Sequence, residues 1–244
     1  LVAVDVSVID GGGRPVRGLW AGPAHIAACR ALGLFEKYDF GSLKLAILSG
    51  SACPPELVRW FQAKIPDCAV IQLWGMPETQ GALYTRPGDA PDVAASTAGR
   101  PSPGTEVRIL KPDGSPCAAN QEGELQVRGC LLFPGFFDND AANQTAFTAD
   151  RWYRTGDLAT ADAEGNVAIT GRDKDIINRG GVKFNPRDVE DLLDAHPKVL
   201  QSAIVPMPDP VLGERACCSV TLRPGASALA LEEVTEFLLL HNIA

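Results

Sequence analysis

The chain has 244 residues, of which 45% are hydrophobic, 21% charged and 7% aromatic. This composition is typical of folded globular proteins and excludes disordered and collagen-like classes. Because 22 Lys and Arg residues face 30 Asp and Glu residues, the net charge is -8. No positive field draws the chain to a phosphate backbone, and we expect no nucleic acid partner.

The seven cysteines show neither a CxxC pair nor zinc-ligand spacing. We therefore expect reduced thiols and a cytoplasmic protein. Neighbouring Cys217 and Cys218 point to opposite faces if they lie in a strand, so at least one is predicted to be a core residue. No apolar run reaches the roughly 20 residues that a membrane-spanning helix needs, so we predict no membrane span.

The chain starts with valines at positions 2, 4, 6 and 8, which alternate as in a strand until a glycine run ends the pattern. That assignment stays open. Further along, residues 43–48 are an apolar run typical of a buried strand, and 54–65 have helical spacing after two prolines. Residues 68–74 form a second apolar run. This order predicts two parallel strands joined by a helix.

Residues 81–104 are rich in Gly, Pro, Ala, Asp and Ser, which predicts a loop. Short alternating strands are then predicted at 105–110, 124–129, 157–161 and 166–170, and we expect them to form a small β-barrel. After Gly171 the pattern predicts a helix over 186–195, strands over 199–206 and 217–222, and a helix over 231–241. The predicted fold is therefore α/β plus a β-barrel in residues 1–171, followed by a small α+β domain in residues 172–244.

Three polar clusters follow predicted strands, where binding residues commonly lie. Ser49-Gly50-Ser51-Ala52 is a turn of small residues that a ligand could approach, although an ordinary turn has the same composition. Trp74 to Thr79 places an aromatic ring beside a glycine and a carboxylate, and a solvated Glu78 beside a core tryptophan is the alternative. The third cluster comprises Tyr153 to Leu158 and Gly171 to Asp175, two charged segments that flank a hairpin.

The order and spacing of these segments resemble the adenylate-forming superfamily of acyl-CoA synthetases, peptide-synthetase adenylation domains and luciferases. WGMPE at 74–78 is similar to the aromatic-Gly-x-Thr-Glu motif of that family, and YRTGDL at 153–158 to its Tyr-Arg-Thr-Gly-Asp motif. GRDKDIINRGGVKFNPRDVE at 171–190 resembles its linker and the start of its C-terminal domain. With SGSACPPEL at 49–57, the resemblance extends from about residue 20 to residue 244.

The resemblance implies a reaction in two steps. A small-molecule carboxylic acid first reacts with ATP and Mg2+ to give an acyl-adenylate and pyrophosphate. The thiol of coenzyme A, or of a phosphopantetheine carrier, then displaces AMP. By the same resemblance, residues 1–171 are the later part of the large N-terminal domain, and residues 172–244 belong to the mobile C-terminal domain.

The resemblance also implies roles for single residues in the first step. Trp74 stacks on adenine within a nucleotide-binding segment that includes Gly75, Met76 and Pro77. Glu78 holds Mg2+, Asp157 binds the ribose hydroxyls, and Arg172 reaches the ribose and phosphates.

Further implied roles concern the acyl group and the thiol. Lys174 falls at the hinge about which the small domain rotates, and we assign it to the catalytic residues with Glu78 and Arg172. By the resemblance, Gly180 and Gly181 match the segment that lines the pantetheine tunnel, where the absence of a side chain lets the thiol approach. Gly50, Ser51 and Ala52 match residues that line the acyl pocket.

Three features depart from the family pattern. The phosphate-binding loop is expected upstream of residue 20 and the C-terminal catalytic lysine beyond Ala244, so we expect either a portion of a longer enzyme or a protein that works with a partner. Pro77 stands where the motif has Thr, which removes a hydroxyl and a backbone N-H. This substitution predicts impaired adenylation and a protein that acts mainly on a preformed acyl-adenylate.

The leading hypothesis is an AMP-forming acyl-CoA ligase for an organic acid. One alternative is an adenylation domain that loads a carrier protein, and another is a non-catalytic nucleotide-binding subunit. The sequence does not identify the acid.

Overall fold

The computed structural model describes residues 16–241. These residues form two compact units. The first contains the described residues up to Thr155 together with Ala159–Ile169, and the second contains Gly156–Leu158 and the described residues from Thr170 onward. The alternating valines at positions 2 to 8 lie outside the described residues.

The elements up to residue 146 are β1 (Gly18–Ala21), α1 (Pro23–Ala31), α2 (Leu34–Lys37), β2 (Leu45–Leu48), α3 (Pro55–Lys64), β3 (Ala69–Met76), β4 (Gln80–Tyr84), α4 (Pro91–Ser96), β5 (Arg100–Pro101), β6 (Thr105–Leu110), β7 (Gly123–Gly129) and α5 (Asp140–Ala146). The later elements are β8 (Tyr153–Ala161), β9 (Val167–Arg172), a 3-10 turn (Asp173–Asp175), β10 (Ile177–Arg179), β11 (Val182–Phe184), α6 (Pro186–Asp194), β12 (Val199–Asp209), β13 (Gly213–Leu222) and α7 (Leu231–Leu240).

The first sheet has the order β1-β2-β3-β4-β5. Strands β1, β2 and β3 are parallel, which confirms the predicted strand-helix-strand arrangement around α3. Val58 and Phe61 of α3 are fully buried against Ala46 and Leu48 of β2, so the apolar face of the helix covers this side of the sheet. The carboxyl ends of the three parallel strands consequently lie along one edge.

The prediction of a loop at 81–104 is wrong. Strand β4 pairs with both β3 and β5, and the short helix α4 packs near α3. Leu83 is fully buried, and no more than 3% of the surface of Ala82, Ala94 or Ala95 is exposed. These elements are too short and too rich in alanine to show a clear period, and their burial comes from neighbours that are distant in sequence.

The predicted β-barrel is also wrong. All four predicted strands exist, but within residues 16–241 they form an open sheet of order β6-β7-β8-β9. The sheet is open because its edge strands β6 and β9 do not pair with each other, and four strands are fewer than the roughly eight of a typical barrel filled by side chains. Leu125 and Val127 of β7 instead pack in a separate core with Ala159 and Val167.

The second unit contains a sheet of order β11-β10-β13-β12 with helices α6 and α7. The two helices and two strands predicted beyond residue 171 are present as α6, α7, β12 and β13. The core of this unit consists of Ile177, Val189, Leu193 and Ile204. The prediction that at least one of Cys217 and Cys218 is a core residue is wrong, because both are exposed. Among the described residues no helix is long and apolar enough to cross a membrane.

Candidate active site

The small-residue turn follows β2 at the carboxyl edge of the parallel strands. Gly50 has a φ of +90°, a backbone conformation that favours glycine. Nothing lies within 4 Å of where its Cβ would be, so steric overlap with neighbouring atoms is not the reason for glycine here. Gly50, Ser51 and Ala52 are exposed. The indole nitrogen of Trp20 donates a 2.5 Å hydrogen bond to the Ser49 hydroxyl at this turn. Trp20 was not predicted from the sequence to be a site residue.

The segment from Trp74 to Gln80 is a tight connection between β3 and β4. Met76 pairs with Gln80, whose own φ of +52° is left-handed. A Cβ on Gly75 would overlap the carbonyl oxygen of Gln80, so only glycine fits there. Trp74 is half-buried and packs against the core that contains Leu83, which fixes its ring from one side.

Glu78 lies at the tip of this connection and is half-buried. Its backbone carbonyl accepts a 2.8 Å hydrogen bond from the N-H of Phe133. Its carboxylate has no ion pair or hydrogen-bond partner among residues 16–241, so the carboxylate is available to a ligand.

Phe133 connects two of the sequence motifs. Its ring makes an edge contact with Tyr153, at a centroid distance of 5.4 Å, and stacks on Phe147. Tyr153 is 6% exposed, so the first residue of the YRTGDL segment serves this aromatic cluster. Phe133 was missed because an aromatic residue in a loop gives no periodic signal, although the run FPGFF at 133–137 marks the place.

Asp157 is the most buried of the predicted site residues, with 2% of its surface exposed. Its Oδ1 accepts a 3.0 Å hydrogen bond from Nε of Arg172, whose side chain is 53% exposed. The structure thus brings together two residues that the resemblance assigns to one nucleotide. A buried carboxylate is costly unless it is paired, and this cation compensates part of that cost.

The segment after Arg172 is tied to helix α6. The Asn185 side chain caps that helix by accepting from the N-H of Arg187, and it donates to the carbonyl of Thr170 at 2.7 Å. A Cβ on Gly171 would overlap the Asn185 side chain. Lys174 lies in the exposed 3-10 turn between these anchors.

Gly180 and Gly181 form the two-residue turn between β10 and β11. Their φ values of +61° and +92° are both positive, as a type I′ hairpin turn requires. The N-H of Gly180 donates to the carbonyl of Leu212, and a Cβ there would press on the Leu212 side chain. Gly181 has open space around it.

The described cysteines are free thiols. Burial raises the pKa of Cys68 to about 11, so this thiol stays protonated and unreactive at neutral pH. No catalytic role is therefore proposed for this thiol.

Comparison with known proteins agrees with this set of motifs. Residues 15–137 match the AMP-binding enzyme family, and residues 188–239 match the AMP-binding enzyme C-terminal domain. The chain belongs to the adenylate-forming superfamily.

Two curated relatives illustrate the range of this superfamily. A 2-hydroxy-7-methoxy-5-methyl-1-naphthoate CoA ligase of Streptomyces carzinostaticus is 43% identical over 77% of this chain and 33% of its own length. A salicyl-AMP ligase / salicyl-S-ArCP synthetase of Mycobacterium tuberculosis is 37% identical over 83% of this chain and 35% of its own length. The chain thus spans about a third of the curated relatives it matches.

Solved structures of the superfamily share the fold. The o-succinylbenzoate CoA synthetase of Bacillus subtilis, in complex with its acyl-adenylate intermediate, matches with a TM-score of 0.78 and 26% identity. The match covers 94% of this chain and 45% of that one.

The resemblance implies a magnesium ion at Glu78. The described residues contain no cluster of three or more His, Cys, Asp or Glu side chains that could enclose a metal. Mg2+ commonly binds one or two carboxylates together with substrate phosphates and water. The Glu78 carboxylate, which has no partner among the described residues, fits that mode, in which the nucleotide would supply the other ligands.

Proposed function

We propose that this protein is an AMP-forming acyl-CoA ligase that activates a small carboxylic acid with ATP and transfers the acyl group to coenzyme A. The observation that carries the proposal is the buried Asp157 carboxylate held by Arg172. A carboxylate in this position can accept hydrogen bonds from two ribose hydroxyls, whereas a purely structural role would not call for a buried charge beside an exposed arginine.

In the first step, the attack of a carboxylate on the α-phosphorus concentrates negative charge. Glu78 would hold Mg2+, which supplies electrostatic stabilisation of the phosphates when bound. Trp74 offers a fixed aromatic face to the adenine, since its other side packs on the core. Arg172 contributes a cation beside the ribose-binding carboxylate.

In the second step, the thiol must be aligned with the acyl-adenylate, and no protein nucleophile is needed. We propose that Lys174 marks the hinge between residues 1–171 and 172–244. The Gly180-Gly181 turn, which carries no side chain, would leave room for the pantetheine arm. Rotation of the small domain between the steps would exchange one set of residues for the other.

Thioester formation tests the proposal directly. The native-length protein would receive free acid with ATP, or a synthetic acyl-adenylate, each with coenzyme A. Thioester from both substrates is the expected result, with a lower rate from the free acid because Pro77 impairs adenylation. Absence of thioester from both, over a panel of acids, would contradict the ligase assignment.

Transfer to a carrier protein is the second candidate, because the relatives include a salicyl-S-ArCP synthetase as well as a CoA ligase. Replacing coenzyme A with a phosphopantetheinylated carrier in the same assay separates the two. A non-catalytic subunit would bind AMP and yet form no thioester with either acceptor.

Pro77 provides a prediction about the first step. The neighbouring Thr79 does not replace the missing hydroxyl, because it is 1% exposed and accepts from the N-H of Met76. Pro77 is exposed and only its carbonyl is used, as acceptor from the Gln80 side chain at 2.9 Å, so threonine should be tolerated.

We expect Pro77→Thr to raise the rate of acid-dependent pyrophosphate release about 10-fold, the value of one additional charge-assisted hydrogen bond to phosphate. Thioester formation from preformed acyl-adenylate should stay unchanged and serves as the control. An unchanged rate of pyrophosphate release would show that the proline does not impair adenylation.

A further inference from the structure

The glycine turn at 180–181 has both of its central N-H groups held from outside the turn. In a two-residue hairpin the flanking residues pair with each other, and the N-H groups of the two central residues find no partner in that pairing. The N-H of Gly180 donates to the carbonyl oxygen of Leu212 at 2.9 Å. The N-H of Gly181 donates to Oδ1 of Asn178 at 3.0 Å. Two acceptors therefore fix the orientation of this turn.

Asn178 is itself anchored on both sides. It pairs with Lys183 across the β10-β11 hairpin, and its backbone N-H donates to Oε2 of Glu214 at 2.8 Å. Glu214 belongs to the neighbouring strand β13. The backbone of Asn178 is thus held by two strands, so its side-chain amide lies at a fixed place beside Gly181.

The other acceptor, the carbonyl of Leu212, lies in the turn between β12 and β13. Oδ1 of Asp209 accepts hydrogen bonds from the N-H groups of Leu212 and Val211, each at 2.9 Å. These bonds, first that from Leu212, lower the pKa of the Asp209 carboxyl, so the carboxylate is ionised at neutral pH. The Leu212 side chain also lies 3.0 Å from where a Cβ on Gly180 would be. Asp209 consequently fixes the turn that holds Gly180.

Restraint from outside matters because both residues of the turn are glycines. Glycine has more accessible backbone conformations than any other residue, so a pair of glycines loses much conformational entropy when it is ordered. Reactions that depend on alignment are sensitive to small displacements, and a shift of about 1 Å can lower a rate by about 100-fold. A glycine turn that lies beside a reacting thiol therefore needs acceptors that hold it.

We propose that Asn178 and Asp209 are positioning residues for the thioester-forming step. They hold the Gly180-Gly181 turn in the conformation that admits the pantetheine arm, and they act through the turn rather than on the substrate. The inference rests on the proposed function for the reaction. It adds the residues on which the transfer step depends and the adenylation step does not.

The test compares Asn178→Ala with Asn178→Asp in the native-length protein. Alanine removes the acceptor of the Gly181 N-H, whereas aspartate keeps an acceptor oxygen at the same position. Asn139→Ala is the matched control, because Asn139 also accepts from a backbone N-H, that of Ala142 at 3.1 Å, but at the start of α5 in the first unit.

Two rates would be measured for each variant. The first is thioester formation with coenzyme A from the synthetic acyl-adenylate that the parent protein converts fastest. The second is acid-dependent pyrophosphate release in the first turnover. Thermal denaturation would show that each variant is folded.

We expect Asn178→Ala to lower kcat/KM for coenzyme A in thioester formation about fivefold, roughly the effect of one neutral hydrogen bond. Pyrophosphate release should be unchanged. Asn178→Asp should retain most of the parent rate, and Asn139→Ala should match the parent protein in both measurements. A general structural defect would slow both steps, so a loss confined to thioester formation identifies a positioning role.

Asp209→Ala removes the other restraint and gives an independent arm of the test. It should also slow thioester formation and leave pyrophosphate release unchanged. Asp209→Asn keeps an acceptor oxygen and should retain most of the rate.

The possible failures of the inference and of the ligase assignment are distinct. Rates of thioester formation in Asn178→Ala and Asp209→Ala equal to that of the parent would overturn the inference and leave the ligase assignment intact. Equal loss in both steps, or no rescue by Asn178→Asp, would also overturn the inference alone. A parent protein that forms no thioester with coenzyme A from any acyl-adenylate of the panel would instead contradict the proposed function, and the inference about transfer with it.

Discussion

Replacement of Asp157 by Asn is expected to lower acid-dependent pyrophosphate release about 100-fold in the native-length protein. The buried carboxylate can accept from Arg172 and from two ribose hydroxyls, whereas the amide of Asn has one acceptor oxygen and no charge. Loss of one charge-assisted contact in a desolvated site costs roughly 10- to 1000-fold in rate or affinity. Titration of AMP should show the same loss of affinity.

Asp150 supplies the matched control for this prediction. Its carboxylate also pairs with an arginine, Arg108, at 2.7 and 3.2 Å, but 57% of its side chain is exposed. Asp150→Asn should therefore leave AMP affinity and pyrophosphate release within about twofold of the parent values, as exposed pairs contribute little. Full AMP affinity in Asp157→Asn would remove the main support for the proposed function.

Replacement of Gly75 by Ala is expected to cause the largest loss of stability among single substitutions in the site. The added methyl group would overlap the backbone carbonyl of Gln80, which cannot rotate away as a side chain could. We expect the free energy of unfolding to fall by about 3 kcal/mol, the upper end of the usual range for overpacking. In a chain of this size that corresponds to a drop of roughly 6 to 12 °C in Tm.

Gly18→Ala is the control for the glycine substitution, because nothing lies within 4 Å of its potential Cβ and it belongs to the same sheet. Its Tm should change by no more than about 2 °C. Both variants would be followed by thermal denaturation with circular dichroism. A Tm of Gly75→Ala close to that of Gly18→Ala would show that the β3-β4 connection can rearrange.

Long periodic segments and strand-loop junctions were predictable from sequence. Strand β6 occupies the predicted residues, α3 is shorter than predicted by one residue at each end, and α6 is shorter by one residue at its C-terminal end. Strand β8 begins four residues earlier than predicted, at Tyr153 instead of Asp157. Tyr153 is buried in an aromatic cluster with Phe147 and with Phe133, which lies 20 residues earlier, and no local period marks such contacts.

The candidate site was predictable as a set of residues but not as an arrangement. The motifs identified Glu78, Asp157, Arg172 and the glycine turn at 180–181, and the comparisons support the superfamily to which these motifs belong. The ion pair of Asp157 with Arg172 required coordinates, and so did the finding that the Glu78 carboxylate has no partner among residues 16–241. Both depend on which side chains come into contact in the folded chain, and the order of residues alone does not show this.

The sequence by itself determined the superfamily and the parallel strand-helix-strand unit, because motif spacing and apolar runs are local properties. Only the tertiary structure decided that β6 to β9 stay an open sheet and that Ala82 and Leu83 belong to a buried strand. It alone placed Trp20 beside Ser49. Each of these outcomes depends on pairing between segments far apart in the chain, whose free energy comes from burial and hydrogen bonding that no single segment contains.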